Sequence, residues 1–235
     1  MILAAGRGER MRPLTDTLPK PLLKVGGHTL IEHQLNNLAR SGFTEIVINH
    51  AYLGAMIEKA LGNGERYGVN IRYSAEHTVL ETAGGIANAL PLLTNESASL
   101  PFAVVNGDIY CDMDYARLFP IMNKMNSVPE QPLAHLILVD NPIYHAEGDF
   151  ALNGNQVILT GNNKSTFSGI GIYRPQLFKD IKPGVAAKLA PLLRQAIQAG
   201  GVSGEYFRGS WIDVGTPDRL EALSRQLASS SGLEG

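Results

Sequence analysis

The sequence predicts an α/β fold built on a parallel sheet, and three observations predict it. Short apolar runs alternate with stretches of helical periodicity up to Val105, the pattern of βαβ units with helices on both faces of a sheet. The runs Ile2 to Ala5 and Phe102 to Val105 are strand-length and bounded by glycine or proline. The residues richest in chemistry, the Gly6 loop, the Glu76–Gly85 loop and Asp108, each follow a predicted strand. Ligands sit beyond such carboxyl ends in open α/β sheets.

The elements follow in order. After the first strand, Leu30, Ile31, Leu35 and Leu38 fall at helical spacing, with Gly42 as a stop. Glu45 to Asn49 is a strand, Met56 to Leu61 a short helix ending at Gly62, and Val69 to Ser74 another strand. Ile86, Leu90 and Leu93 line a helix entered through Gly84-Gly85, and the strand Phe102 to Val105 leads into Asn106-Gly107-Asp108. The second half reads differently. Leu133 to Val139 and Phe167 to Tyr173 are strands, and Phe150 to Leu152 with Gln156 to Leu159 form a hairpin around Asn153-Gly154, a type I′ signal. Leu189, Leu192, Leu193 and Ala196 line a helix, and Thr216-Pro217 opens the last one. Pro129 to Pro132 reads as a surface loop. One domain is expected over residues 1–228, its nucleotide-binding half at 1–110 and its acceptor half at 111–228, with 229–235 as a disordered tail.

Composition narrows the function. The 235 residues carry a net charge of -2, with 44% hydrophobic and 18% charged residues. That balance is ordinary for a globular protein and gives no electrostatic case for nucleic acid or a membrane surface. No apolar run approaches the roughly 20 residues of a membrane span. The single cysteine, Cys111, forms no internal disulfide, which fits a reducing, cytoplasmic compartment. The histidines show no metal-ligand spacing, and no Gly-x-Ser-x-Gly elbow marks a hydrolase.

The chain is organised around its first 27 residues. The first strand runs into Gly6-Arg7-Gly8, which lets the backbone turn tightly and approach a ligand. Arg7, Arg10, Arg12, Lys20 and Lys24 follow against Glu9 and Asp16 only, and Pro13, Pro19 and Pro21 stiffen the segment. A rigid, cation-rich loop with outward amides suits a polyphosphate. The dinucleotide fingerprint fails for want of a glycine at Met11, and the P-loop fails because Pro21 follows Lys20. Asp108 and Asp213 each stand at the end of an apolar run beside glycines, where a carboxylate suits magnesium, an ion that needs only one or two when phosphates fill its other positions.

The string Leu3-Ala-Ala-Gly-x-Gly-x-Arg-Met-x-Pro-Leu-Thr with Pro19-Lys20-Pro21, and the later Trp211-x-Asp-x-Gly-Thr216, resemble the signatures of the sugar-nucleotide pyrophosphorylases. The resemblance runs from Ile2 to about Leu223. It implies a three-layer, Rossmann-like, mixed and mostly parallel sheet of the nucleotide-diphospho-sugar transferase type. It implies an enzyme that joins a nucleoside triphosphate to a sugar 1-phosphate, with Arg10 and Lys20 catalytic and Mg2+ on Asp108 and Asp213. Nucleotide contacts are implied for Leu3, Ala4, Ala5, Gly6, Gly8, Glu76, Thr82, Gly84 and Asn106. Asp149, Ser168, Gly169 and Lys188 are expected on the sugar-phosphate side. The Glu-Lys-Pro that many relatives carry after the hairpin is replaced by Gly161-Asn-Asn-Lys-Ser-Thr-Phe167, so Lys188 or Lys164 would have to meet the sugar phosphate. Val47-Ile-Asn-His-Ala51, Leu80-Glu-Thr-Ala-Gly-Gly-Ile86 and Lys188-Leu-Ala-Pro-Leu-Leu-Arg194 are most similar to the short bacterial N-acetylmuramate-1-phosphate uridylyltransferases of peptidoglycan recycling. UTP and N-acetylmuramate 1-phosphate are then the substrates of a cytoplasmic monomer or weak homo-oligomer. Mannose-1-phosphate guanylyltransferase and glucose-1-phosphate thymidylyltransferase are the alternatives. A catalytically silent nucleotide-binding regulator should have lost Lys20, Asp108 or Asp213, and all three are present.

Overall fold

The computed structural model describes residues 1–94, 100–128 and 132–231. Its strands are β1 (Ile2–Leu3), β2 (Lys24–Val25), β3 (His28–Thr29), β4 (Glu45–His50), β5 (Asn70–Ala75), β6 (Phe102–Asn106) and β7 (Ile109–Cys111), followed by β8 (Ala134–Val139), β9 (Ala151–Asn153), β10 (Gln156–Ile158), β11 (Thr166–Tyr173), β12 (Val202–Tyr206) and β13 (Trp211–Asp213). The helices are α1 (Leu30–Arg40), α2 (Gly54–Leu61), α3 (Glu81–Leu93), α4 (Leu118–Ser127), α5 (Leu189–Gln198) and α6 (Pro217–Ser231). The described residues form two compact units that interleave in sequence, so neither is a simple half. Residues 2–79, 106–112 and 210–235 make one; Met1, 80–105 and 113–209 make the other.

In the first unit β1, β4 and β5 pair in parallel, with Ile2 opposite Ile48 and Ile48 opposite Tyr73. Every residue of β4 after Glu45 is buried. A strand buried on both faces requires cover on both faces, as the βαβ reading expected. α1 begins with a capping box in which the Thr29 hydroxyl accepts from the Glu32 amide and Glu32 accepts from the Thr29 amide. Its inner face buries Leu30, Ile31, Leu35 and Leu38 together with two polar residues. Those two hold β7: Gln34 Nε2 donates to the Ile109 carbonyl at 2.7 Å and Asn37 Nδ2 to that of Cys111 at 3.4 Å. β7 pairs antiparallel with β13, so Asp213 lies opposite Ile109. Met11, Leu23, Val25, Leu30, Val214 and Leu223 form the apolar cluster beneath this arrangement. Truncating a member such as Leu30 to alanine costs on the order of 2–5 kcal/mol.

In the second unit the order is β6, β11, β8, β12, β10, β9. β11 runs antiparallel to both β6 and β8, β12 is parallel to β8, and β10 closes the edge against β9 and β12. The register of β11 against β8 shifts between Phe167 and Gly171, a bulge in which Gly169 takes φ +78°.

Three details depart from the sequence reading. Gly84 and Gly85 lie inside α3, whose first turn is Glu81-Thr82-Ala83, with Glu81 itself at φ +59°. The β9–β10 turn centres on Gly154-Asn155, with φ +60° at Gly154 alone, because Gln156 pairs with Asn153. A type I′ turn needs positive φ at both central residues and does not form. Residues 229–231, expected in a disordered tail, continue α6, where the Ser229 hydroxyl donates to the Gln226 carbonyl at 2.7 Å; 232–235 lie outside the described residues. So does the loop expected at 129–132, except for Pro132.

Candidate active site

The glycine loop begins where β1 ends. Leu3 accepts the Gly107 amide at 2.8 Å, which sets the Asn106–Asp108 corner beside the root of the loop. A side chain on Gly107 would stand 2.8 Å from that Leu3 carbonyl, so only glycine fits. Ala4 and Ala5 are buried, and Asn106 closes β6 half-buried. The two loop glycines differ. Gly8 has φ +65°, and a Cβ there would sit 3.0 Å from both Lys20 Cβ and Thr15 Cγ2. Gly6 has no such φ, and a Cβ on it would meet nothing within 4 Å. The fold demands glycine at 8; at 6 the bareness faces outward.

Lys20 is 6% exposed, its stem packed on Gly8, and its Nζ lies 2.6 Å from Asp108 Oδ2. The Asp108 carbonyl accepts the Val214 amide at 3.1 Å, which ties the residue after Asp213 to Asp108 itself. Asp213 Oδ2 is 2.7 Å from Arg219 Nη1 on α6. A Cβ on Gly215 would lie 3.1 Å from Asp213 Oδ2, 3.2 Å from Arg10 Nη2 and 2.9 Å from Arg219 Nη1. Gly215 is therefore the gap over which Arg10, Arg219 and Asp213 converge. The unit thus gathers two carboxylates and three cations around one corner, although these residues span most of the sequence. Each carboxylate is held by a cation. Such a cluster can bind polyphosphate and neutralise charge that builds on phosphorus oxygens.

Sequence reasoning missed two members. Arg219 sits in the first turn of α6 and reads as an ordinary helix charge; only the β13–α6 geometry brings it to Asp213. Asn49 lies at the carboxyl end of β4. Its Oδ1 accepts the Ala4 amide at 3.0 Å, and its Nδ2 donates to Glu76 Oε1 at 2.7 Å. Glu76, which follows the β5 strand, is only 7% exposed, and its amide donates to the His50 carbonyl at 2.8 Å. The position of Asn49 at a strand's carboxyl end was the one available signal.

The remaining expected residues belong to the other unit. The amides of Ala83 and Gly84 both donate to the Ala187 carbonyl, at 2.9 and 3.0 Å. The Gly84 amide, expected to face a base, is therefore engaged in the fold. A Cβ on Gly84 would lie 2.4 Å from the Val185 carbonyl, which is why glycine stands there. Thr82 lies half-buried in the first turn of α3. Ser168, expected near the sugar phosphate, turns into the sheet: it is 1% exposed, donates to the Ile137 carbonyl at 2.7 Å and accepts the Ile170 amide at 3.1 Å. With Gly169 it builds the bulge. Asp149 accepts the Phe167 amide at 2.8 Å and stands 3.1 Å from His145 Nε2. Lys188 is the residue before the first turn of α5, and Lys164 lends its carbonyl to Asn141.

This is the architecture of a nucleotidyltransferase: strands ending in a glycine loop, a buried lysine on an aspartate, and a second aspartate brought beside the first. The family model described as Nucleotidyl transferase matches residues 1–139, and the chain belongs to that family. It is 55% identical over 225 residues, 94% of this chain and 94% of the other, to the N-acetylmuramate alpha-1-phosphate uridylyltransferase of Neisseria meningitidis serogroup B. It is 33% identical to the mannose-1-phosphate guanyltransferase of Yarrowia lipolytica over 98% of this chain, and spans 64% of that protein's length. Among solved structures, HddC from Yersinia pseudotuberculosis complexed with GMP-PN matches with a TM-score of 0.73 at 19% identity, covering 96% of this chain and 97% of that one. The fold is the Rossmann-like, mixed-sheet α/β fold of the nucleotide-diphospho-sugar transferases.

Proposed function

We propose that this enzyme joins UTP and N-acetylmuramate 1-phosphate to give UDP-N-acetylmuramate and pyrophosphate, in peptidoglycan recycling. The observation that carries the choice of substrates is the 55% identity, over 94% of both chains, to a uridylyltransferase of that name. The geometry supports the reaction type. An oxygen of the sugar phosphate attacks the α-phosphorus of UTP in line. The new O–P bond forms as the bond from the α-phosphorus to its bridging oxygen breaks, and pyrophosphate leaves with the electron pair. Such chemistry needs positioning and charge neutralisation more than a covalent intermediate.

Arg10 and the loop amides from Gly6 to Gly8 hold the β- and γ-phosphates. Lys20, fixed by its packing on Gly8, neutralises charge at the α-phosphate. Leu3, Ala4, Ala5 and Asn106 line the nucleotide, and Glu76 and Thr82 meet the base and ribose. Lys188 and Asp149 serve the acceptor. Asp108 and Asp213, whose backbones meet through β7 and β13 and whose carboxylates now face Lys20 and Arg219, would be the residues to hold Mg2+, a hard ion that needs only one or two carboxylates when phosphates are present. A bound ion would supply charge neutralisation at the reacting phosphates. Among the described residues no helix is long and apolar enough to cross a membrane, and we assign the enzyme to the cytoplasm as a monomer or weak homo-oligomer.

A matrix of nucleoside triphosphates against sugar 1-phosphates, scored by pyrophosphate release, tests the assignment. The highest kcat/KM should fall to UTP with N-acetylmuramate 1-phosphate. Better use of GTP with mannose 1-phosphate would move the chain to the guanyltransferases, to one of which it is 33% identical. Better use of dTTP with glucose 1-phosphate would make it a thymidylyltransferase.

A further inference from the structure

Resting on the nucleotidyltransfer reading, we propose that Arg219 is a positioning residue that acts through Asp213. It is the built-in counterion of that carboxylate, and it lets the nucleoside triphosphate bind without help from a divalent ion. Asp213 ends β13, and Val214, Gly215 and Thr216 lead from it into α6. Arg219, in the first turn of that helix, reaches back across the connection. Its Nη1 donates to Asp213 Oδ2 at 2.7 Å and to the Asp213 carbonyl at 3.2 Å, so it grips one residue by side chain and backbone together.

The pair is sheltered. Its two side chains are 20% and 25% exposed, so salt screens it less than a surface pair. Arg225 and Glu221, further along the same helix, stand 3.7 Å apart at 74% and 71% exposure, where an ion pair contributes little. The helix alone gives no reason for an arginine at position 219. A cation is disfavoured in the first turn, where backbone N–H groups already leave positive charge. The Asp213 carboxylate supplies the reason.

Charge at the corner then decides what can bind. Lys20 covers Asp108 at 2.6 Å, Arg219 covers Asp213, and Arg10 points into the same gap over Gly215. Three cations outnumber two carboxylates. Without Arg219 the two are equal and Asp213 stands bare, so an incoming triphosphate meets like charge at short range. Mg2+ on Asp213 would remove that repulsion as well. Arg219 and Mg2+ are therefore two ways of neutralising one carboxylate, the first built in and the second bound.

Two plainer roles for Arg219 behave differently. A direct contact from Arg219 to a phosphate is lost on substitution whether or not position 213 carries charge. A role confined to holding the β13–α6 connection costs the same with and without the ion. A counterion is needed only while Asp213 is charged and not otherwise neutralised.

The experiment is calorimetric binding of UTP at fixed ionic strength, in EDTA and in saturating Mg2+. The proteins are the wild type, Arg219→Gln, the double variant Asp213→Asn with Arg219→Gln, and Arg225→Gln, with thermal melting as a control for folding. In EDTA, Arg219→Gln should bind UTP about tenfold or more weakly than wild type. The double variant, with both charges gone, should return to within about threefold of wild type. In saturating Mg2+ the deficit of Arg219→Gln should shrink to within about threefold. Arg225→Gln removes the same charge from the exposed stretch of α6 and should match wild type in both conditions. A deficit of equal size in EDTA and Mg2+, a double variant as weak as Arg219→Gln, an equal loss in Arg225→Gln, or no deficit at all overturns the role of Arg219 and leaves the nucleotidyltransfer reading intact. So does a wild type that binds UTP only with Mg2+. A wild type that binds UTP in neither condition overturns both.

Discussion

Lys20 Nζ lies 2.6 Å from Asp108 Oδ2, with the lysine side chain buried and the aspartate about one third exposed. The lysine stem lies against Gly8, whose carbonyl accepts the Thr15 hydroxyl at 2.8 Å, and its ammonium is held by Asp108; charge positioned in this way is what electrostatic stabilisation needs.

If its charge acts mainly on the transition state, Lys20→Ala should lower kcat by roughly 100-fold or more. Circular dichroism of the variant should match the wild type. Steady-state kinetics settle the point, and turnover near wild type removes Lys20 from the mechanism.

The two loop glycines should separate folding from binding. Gly6→Ala meets no protein atom and needs no unusual φ, so its melting temperature should stay unchanged or rise slightly, while kcat/KM for UTP falls. Gly8→Ala forces a side chain into a left-handed φ against Lys20 and Thr15, and should destabilise by about 1 kcal/mol or more. Denaturant unfolding and UTP kinetics on the two variants check both halves; equal behaviour would undo the distinction.

Asp108 and Asp213 should act as one unit. If they share the ion, the double Asp→Asn variant should turn over little worse than the poorer single variant. Turnover across a magnesium titration, with calorimetric Mg2+ binding in the presence of UTP, reads the coupling. Fully multiplicative losses would show two independent carboxylates.

His135 should make the fold sensitive to acid. Burial, with a smaller contribution from Lys124, pushes its imidazole down from 6.5 to about 4. Nδ1 stands 2.9 Å from the Ser203 hydroxyl, while Nε2 meets no partner among the described residues. The unfolded chain takes up this proton near pH 6.5 and the folded chain only near 4. The stabilising contribution is therefore full above pH 6.5 and is lost as pH falls from 6.5 toward 4, amounting to roughly 3 kcal/mol. Urea unfolding of the wild type and His135→Phe across that window should show the wild type losing more stability than the variant.

What the sequence disclosed depended on whether a feature is local. Gly8, Pro19 and Pro21 carry their backbone constraints with them, so the rigid loop was legible. The strand ends before Gly6, Glu76 and Asp108 followed from apolar runs alone. Pairing between distant segments was not legible: nothing in Ile109–Cys111 announces a partner at Trp211–Asp213. Arg219 and Asn49 stayed hidden for the same reason, because their roles arise from side-chain geometry across elements. Ser168-Gly169 could not be read from sequence alone, because a bulge and a ligand-contact loop call for the same small, permissive residues.

In the proposed reaction the sugar phosphate attacks the α-phosphorus of UTP. The most direct measurement incubates the enzyme and magnesium with N-acetylmuramate 1-phosphate and UTP carrying radiolabel at either the α- or the γ-phosphate. The α-label should appear in the sugar nucleotide and the γ-label in pyrophosphate. A γ-label on the sugar phosphate, or its release as inorganic phosphate with no sugar nucleotide formed, would contradict it.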